Sequence, residues 1–230
     1  MNISNMHNAV KIELDKTSSL ELPAFEPEEI DYWLNQGIET FVNQRYQGLN
    51  RAGTSFEETE KRIADLRTIV TDPVTLLPSI SSVHTNGYEF DIPTNYLYTF
   101  LCEARINFVD SNGVVTNDVV ACRDTKSDLY SIKRSRDPFS EHILYMDWAR
   151  PIKFVRDNDI IVVTDGNYSV TSLYLSYIKR PVTVSYTSSI SCDLPDHTHS
   201  EIVKITVSKM LENIESQRYI PYNTEVLKME

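Results

Sequence analysis

Basic side chains are in the minority in this chain. Lys and Arg number 22 against 33 Asp and Glu, leaving a formal net charge of −11 over 230 residues. A protein that grips nucleic acid by its phosphates gains affinity by releasing counterions through clustered cations, and this balance argues against that class. The one basic cluster, Lys133-Arg134-Ser135-Arg136, is short and is followed at once by Asp137. Cysteine is sparse as well: Cys102, Cys122 and Cys192, with no C-x-x-C spacing, which argues for buried thiols and against a disulfide framework. Glycine occurs six times. Phosphate-cradling loops are therefore not expected, and the sequence has no GxxxxGK[ST], GxGxxG after a strand, HExxH or GxSxG. No apolar run approaches the ~20 residues a membrane helix needs. The opening MNISNMHNAVKIELDK has no basic stretch leading into an apolar one, so a secretory signal is not expected.

What is present is a strand-rich centre. From about Tyr88 to Tyr186, short β-type runs alternate with turn residues: YEFDI, YLYTFLCEARINFV, VVTNDVVACR, DLYSIK, HILYMD, IKFVR, DIIVVT, YSVTSLYLSYI and VTVSY. Ser111-Asn112-Gly113, Asp165-Gly166-Asn167 and Asp157-Asn158-Asp159 sit between apolar runs, where a hairpin needs residues tolerant of positive φ; Thr85-Asn86-Gly87 is a further turn. Regular strand and turn spacing without helical patterns between predicts an antiparallel sandwich or barrel. Cys102 and Cys122, each about ten residues from the Asn112-Gly113 turn, are positioned to face each other across it; a reduced pair is expected.

Helices flank this region. Glu26-Pro27-Glu28-Glu29 opens the first, with Pro in the first turn and carboxylates at the positive end of the helix dipole. Ile30, Trp33, Leu34, Ile38, Phe41 and Val42 form its apolar face, which fades at Arg45-Tyr46-Gln47-Gly48. Ser55-Phe56-Glu57-Glu58 reads as a capping box for a second helix lined by Phe56, Ile63, Leu66, Ile69 and Val70 and ended by Asp72-Pro73. The two predict a helical hairpin. A C-terminal helix follows Pro195, Asp196 and the box Thr198-x-x-Glu201, with Val203, Val207, Met210, Leu211 and Ile214 as its stripe. Alone it would be marginal, so it should dock on the hairpin. The expected class is α+β: an antiparallel β-sandwich or barrel (about 88–187) between an N-terminal helical hairpin and a C-terminal helix. By segment, 1–24 reads as an extended arm in which AVKIELDK forms one strand. Residues 25–72 and 195–219 read as the helical part, 73–190 as the β-domain and 220–230 as a flexible tail.

Three clusters carry chemistry in principle. Cys192, Asp193, Asp196, His197, His199 and Glu201 combine thiolate, imidazole and carboxylate, all metal ligands. A His-x-His pair on a helix diverges, however, and no second ligand set exists at recognisable spacing. Asp91, Glu103, Asp118, Asp124, Asp157, Asp159 and Asp165 supply carboxylates without a two-metal signature, and most sit at turns, where Asp bonds nearby amides. Tyr96, Tyr98, Tyr174, Tyr177 and Tyr186 are candidate stacking platforms for single strands but have no accompanying basic groove. Strand packing or protein interfaces suit them better. No catalytic, cofactor-binding or metal-binding residue is assigned, and no cofactor.

Three stretches together carry a family resemblance: LPAFEPEEIDYWLNQGIETFVNQRYQG followed by FEETEKRIADLRTIV; YEFDIPTNYLYTFLCEARI; and RPVTVSY leading into LPDHTHSEIVKITVSKMLENIESQRYI. In this order they resemble the head-to-tail connector (ring or adaptor) proteins of short-tailed, crAss-like bacteriophages, over most of residues 20–220. The resemblance implies a non-enzymatic virion component, assembled in the host cytoplasm, that forms a ring beneath the portal, usually of twelve copies. Its implied partners are copies of itself, the portal protein and other tail or ring proteins, with genomic DNA passing through the lumen without specific binding and no membrane. The implied subunit contacts lie in the N-terminal arm, the Lys133–Arg136 loop and the C-terminal tail. The alternative is an outward-facing tail protein acting as a receptor- or protein-binding module.

Overall fold

A computed structural model describes residues 1–17, 25–47, 60–80, 86–109, 113–124, 151–164, 166–214 and 219–226. The chain divides into a helical unit, 1–69 with 180–230, and a β-unit, 70–179. The α+β class is as expected, with helices and antiparallel sheets in separate stretches of chain.

The helical unit opens with α1 (Ile3–Thr17). This overturns the extended arm. The run AVKIELDK reads as period two, with Val10, Ile12 and Leu14 on one face, but Ile3, Met6, Val10 and Leu14 recur at helical spacing and are the residues buried. Ile12 is 54% exposed, which only the helix explains. Asn2 caps the helix, its Oδ1 accepting the Asn5 amide at 2.8 Å.

Helix α2 (Pro27–Gln47) starts as expected: Glu29 reaches back to accept the Glu26 amide at 2.9 Å, half of a capping box. Its buried face holds Ile30, Leu34, Ile38, Phe41 and Val42, with Trp33 half-buried. The face does not fade at Arg45, which is buried. Gly37 lets α2 approach α4 (His199–Asn213): a Cβ there would lie 2.3 Å from Thr206 Oγ1.

Helix α3 (Glu60–Leu66) packs on α2. Its expected start at Ser55 lies outside the described residues, and its face is the expected one only in part: Leu66 and, just past the helix, Ile69 are buried as expected. Ile63 is 45% exposed whereas Arg62, Asp65 and Leu66 are buried, because the face that meets α2 is partly ionic.

Helix α4 docks against α2, as expected, and also against α1 and α5 (Tyr219–Val226). It buries Ile202, Val203, Ile205, Val207, Met210 and Leu211. The Thr198/Glu201 box does not form: Thr198 Oγ1 donates to the Pro195 carbonyl at 2.8 Å across a 3-10 turn, Asp196–Thr198, and Glu201 turns to Arg45. Helix α5 replaces the expected flexible tail over 220–226, and 227–230 lie outside the described residues; Pro221 falls in its first turn, where a missing amide costs nothing.

Residues 180–190 were expected to complete the β-domain but belong to the helical unit. Asn35 explains this. Its Oδ1 accepts the Val184 amide at 2.8 Å and its Nδ2 donates to the Val184 carbonyl at 3.1 Å, so one side chain does what a neighbouring strand would do. A single bridge, Ser185 to Ile190, is all the pairing this stretch makes within itself.

In the β-unit, two open sheets share one core. The first has order β1-β9-β4-β5, with β1 (Val74–Leu76), β4 (Tyr96–Val109), β5 (Val115–Ala121) and β9 (Ser169–Lys179). The second has order β2-β3-β8-β7-β6, with β2 (Ser79–Ile80), β3 (Gly87–Asp91), β6 (Arg123–Asp124), β7 (Ile152–Arg156) and β8 (Asp159–Val163). Phe90, Ile160 and Val162 of the second sheet meet Cys102, Ala104, Ile106, Leu173, Leu175 and Tyr177 of the first, which makes a sandwich and not a barrel. Among the described residues all pairings are antiparallel except the short β6–β7 pair.

The turns divide. β4 and β5 pair from Val109↔Val115 with Gly113 at φ +78°, and β7 and β8 from Arg156↔Asp159 with Asp157 at φ +50°, both as hairpins. Gly166, at φ +89°, instead carries the chain from one sheet to the other, so the Asp165-Gly166-Asn167 turn joins no hairpin. Cys122 donates its amide to the Cys102 carbonyl at 3.0 Å, placing the two thiols on paired backbone as expected. The expected strands DLYSIK and HILYMD, like the Lys133–Arg136 loop, lie outside the described residues.

Candidate functional site

The histidine-rich stretch before α4 is taken up by structure. His197 Nε2 lies 2.8 Å from Asp65 Oδ1, and Arg45 Nε donates to Asp65 Oδ2 at 2.8 Å. Arg45 Nη2 donates to Glu201, and its guanidinium carbon stands 4.6 Å from the Phe41 ring centroid. Arg45 and Asp65 are both almost wholly buried, so each needs the other's charge. His199 Nε2 lies 2.9 Å from the Leu194 carbonyl, and its Nδ1 faces the Met1 amino group at 2.7 Å. Burial holds the His199 imidazole below its ordinary pKa, with the amino group adding to the effect. Burial also pushes the Cys192 thiol up to about 11, which keeps it from acting as a thiolate. The two histidines point at different partners, and no group of three or more metal-capable side chains converges among the described residues.

A second polar lock sits under α1. His7 Nε2 is 2.7 Å from Asp31 Oδ1, Asp31 Oδ2 accepts the Tyr186 amide at 2.8 Å, and the Tyr186 ring lies 4.8 Å from the His7 ring. Sequence reasoning missed Arg45, Asp31 and Asn35, because each interrupts an apolar pattern and its partner lies far away in the chain.

The carboxylates of the β-unit are spread along strands. Asp91 and Asp159 stand opposite each other across β3 and β8, and partial burial, followed by the charges of Asp91, Glu89 and Asp157, raises the Asp159 pKa. Asp118 Oδ1 accepts the Val119 amide. Asp165 lies outside the described residues. The tyrosines are packing groups: Tyr177 is buried, donates to Asn95 at 2.8 Å and has its ring 5.7 Å from that of Tyr96. Tyr174 lies under the Arg105 guanidinium, 5.4 Å from ring centroid to carbon.

One group of exposed apolar residues gathers on a sheet edge. Among the described residues strand β5 ends the four-stranded sheet, and nearly all its residues are exposed. Register places Val115 opposite Val109 and Val119 opposite Arg105, so these valines share the sheet face that points away from the core. Val109, Val115 and Val119 are 63%, 59% and 41% exposed. A seven-residue edge strand with Asp118 as its only charge has little of the protection that edges of lone domains usually carry. Among the described residues, no helix is long and apolar enough to cross a membrane. The sequence matches no protein-family model and no curated protein.

Proposed function

We propose that this chain is a non-enzymatic structural protein of a bacteriophage virion, forming a ring below the portal that connects capsid to tail and extends the DNA channel. The observation that supports it most is the β5 edge, unpaired among the described residues, with its valine face, a surface suited to a neighbouring subunit. In a cyclic ring each contact is heterologous, so β5 would meet a different surface of the next copy. The net charge of −11 suits a conduit through which DNA slides without sticking. In this reading β5 takes the place of the N-terminal arm as a subunit contact, since α1 is core, while the Lys133–Arg136 loop lies outside the described residues.

The test is mass photometry of the purified protein, alone and mixed with the portal ring of the same virus. The expected result is a discrete species at portal mass plus a fixed multiple of the chain. Val115→Lys with Val119→Lys should abolish it while leaving the thermal midpoint unaltered, because both side chains are exposed. A wild-type monomer that ignores the portal would overturn the reading.

A further inference from the structure

Two of the three cysteines stand across from each other where β5 leaves the first sheet. The register that puts Glu103 opposite Ala121 carries one step further to Cys102 and Cys122, and the Cys122 amide donates to the Cys102 carbonyl at 3.0 Å. Both side chains face the same way: Cys102 belongs to the buried core of the sandwich, and Cys122 packs against that core. Opposed residues joined by a ladder hydrogen bond hold their Cα atoms about 5.5 Å apart. A disulfide spans about 4.4–6.8 Å between Cα atoms, so the backbone already stands in bridging range.

The Cβ atoms of such a pair lie about 4.5–5.5 Å apart, slightly wider than the about 3.5–4.5 Å of a relaxed bridge. Closing the bridge draws the two strands together and leaves a bond that thiols reduce readily. Its position also gives it something to hold. Strand β5 runs from Val115 to Ala121, so Cys122 is its exit, and Arg123 already pairs with Ile152 in the other sheet. Strand β4, on the other side of the bridge, is held in turn by β9. Cys122 is half-buried whereas Cys102 is 4% exposed. A reagent in solvent therefore reaches Cys122 first, and Cys102 is the resolving thiol behind it.

We infer that Cys102 and Cys122 form a reversible thiol–disulfide site that takes a small-molecule disulfide as its oxidant. The Cys122 thiolate attacks one sulfur of the reagent, forming a mixed disulfide and expelling the other half as a thiolate. Cys102, deprotonated in turn, attacks the Cys122 sulfur. That step breaks the mixed disulfide, forms the cross-strand bond and expels the second half. The two protons lost by the cysteines go to the two expelled thiolates, so two protein thiols are oxidised while one disulfide is reduced to two thiols. The bond pins the exit of β5 to β4. The inference does not depend on the ring proposal.

The test is to incubate the folded chain with millimolar oxidised glutathione, quench with iodoacetamide in denaturant and digest with trypsin. Cleavage after Arg105 and Arg123 puts the two cysteines on separate peptides, so the bond reads as a linked pair by mass spectrometry. A linked pair is expected in most of the protein and is reversed by dithiothreitol. Cys192 should remain alkylated, since burial pushes that thiol up to about 11. Hydrogen exchange of the β5 amides should slow by about threefold or more in the bridged protein, and not in Cys122→Ser treated the same way. Alkylation of both Cys102 and Cys122 after the exposure overturns the inference. So does glutathione left on Cys122 without a linked pair, or a link from either cysteine to Cys192 in equal yield. Unchanged exchange in bridged protein overturns the hold on β5.

Discussion

Truncating Met6 tests whether α1 belongs to the core of the helical unit. Met6 is fully buried, with Val10 beside it on the same face and Ile12, two residues on, 54% exposed. Met6→Ala should cost about 2–5 kcal/mol, the range for emptying a buried methionine site. Ile12→Ala should stay within about 0.5 kcal/mol, as an exposed position does. Domains of this kind hold only about 5–15 kcal/mol in total, so the first change should be plain in a urea melt. Trp33, half-buried on α2, provides the fluorescence signal and the far-UV circular dichroism the helical content. If α1 were an arm waiting for a neighbour, Met6→Ala would be silent and deletion of residues 1–17 would leave the transition unmoved. If the stretch were a strand, positions 10 and 12 would not differ as they do. The helical arrangement predicts that the deletion removes four buried apolar side chains and leaves Asp31 without His7, at a gross cost of about 6–12 kcal/mol, enough to unfold the unit. Equal midpoints for Met6→Ala and Ile12→Ala would refute the placement of α1.

Three further outcomes follow from the same unit. Gly37→Ala, which on helix propensity alone should stabilise by about 1 kcal/mol, should instead destabilise, because the new methyl meets Thr206 Oγ1 at 2.3 Å; Thr206→Ala, which removes that oxygen, should restore part of the loss, measured by thermal melts in a double-mutant cycle. Arg45→Met should cost about 3–5 kcal/mol by leaving Asp65 buried without its cation, and adding Asp65→Leu should recover most of it in a urea melt. His199, held neutral by burial, binds fewer protons folded than unfolded, so its contribution is present above its unfolded pKa of about 6.5 and is lost as pH falls through the lower folded value. The thermal midpoint should therefore fall more steeply from pH 7 to 5 in wild type than in His199→Gln, and parallel profiles would contradict this.

The sandwich was legible because its signals are local: alternating apolar residues, and asparagine, aspartate or glycine where φ turns positive. Helix α2 was legible for the same reason, since Pro27, Glu29 and the face from Ile30 to Val42 need no distant partner to be read. What escaped reading depends on residues far apart in the chain. Asn35 diverts 180–190 from the sheet through Val184, 149 positions away, and no pattern around either residue announces it. Arg45, Asp65 and Glu201 each look like solvated surface alone; Arg45 and Asp65 are buried because they meet, with Glu201 half-buried beside them. Glu201 had two open roles, as partner of Thr198 in a capping box or of Arg45 in the core. A cap contributes about 1 kcal/mol, whereas a buried guanidinium left short of a partner costs several. Arg45 therefore takes the carboxylate, and Thr198 turns to Pro195. The same competition explains why the His-Asp stretch looked like a ligand set: a buried ionic network draws on the residue types that bind metals, and only the direction in which each side chain points tells the two apart.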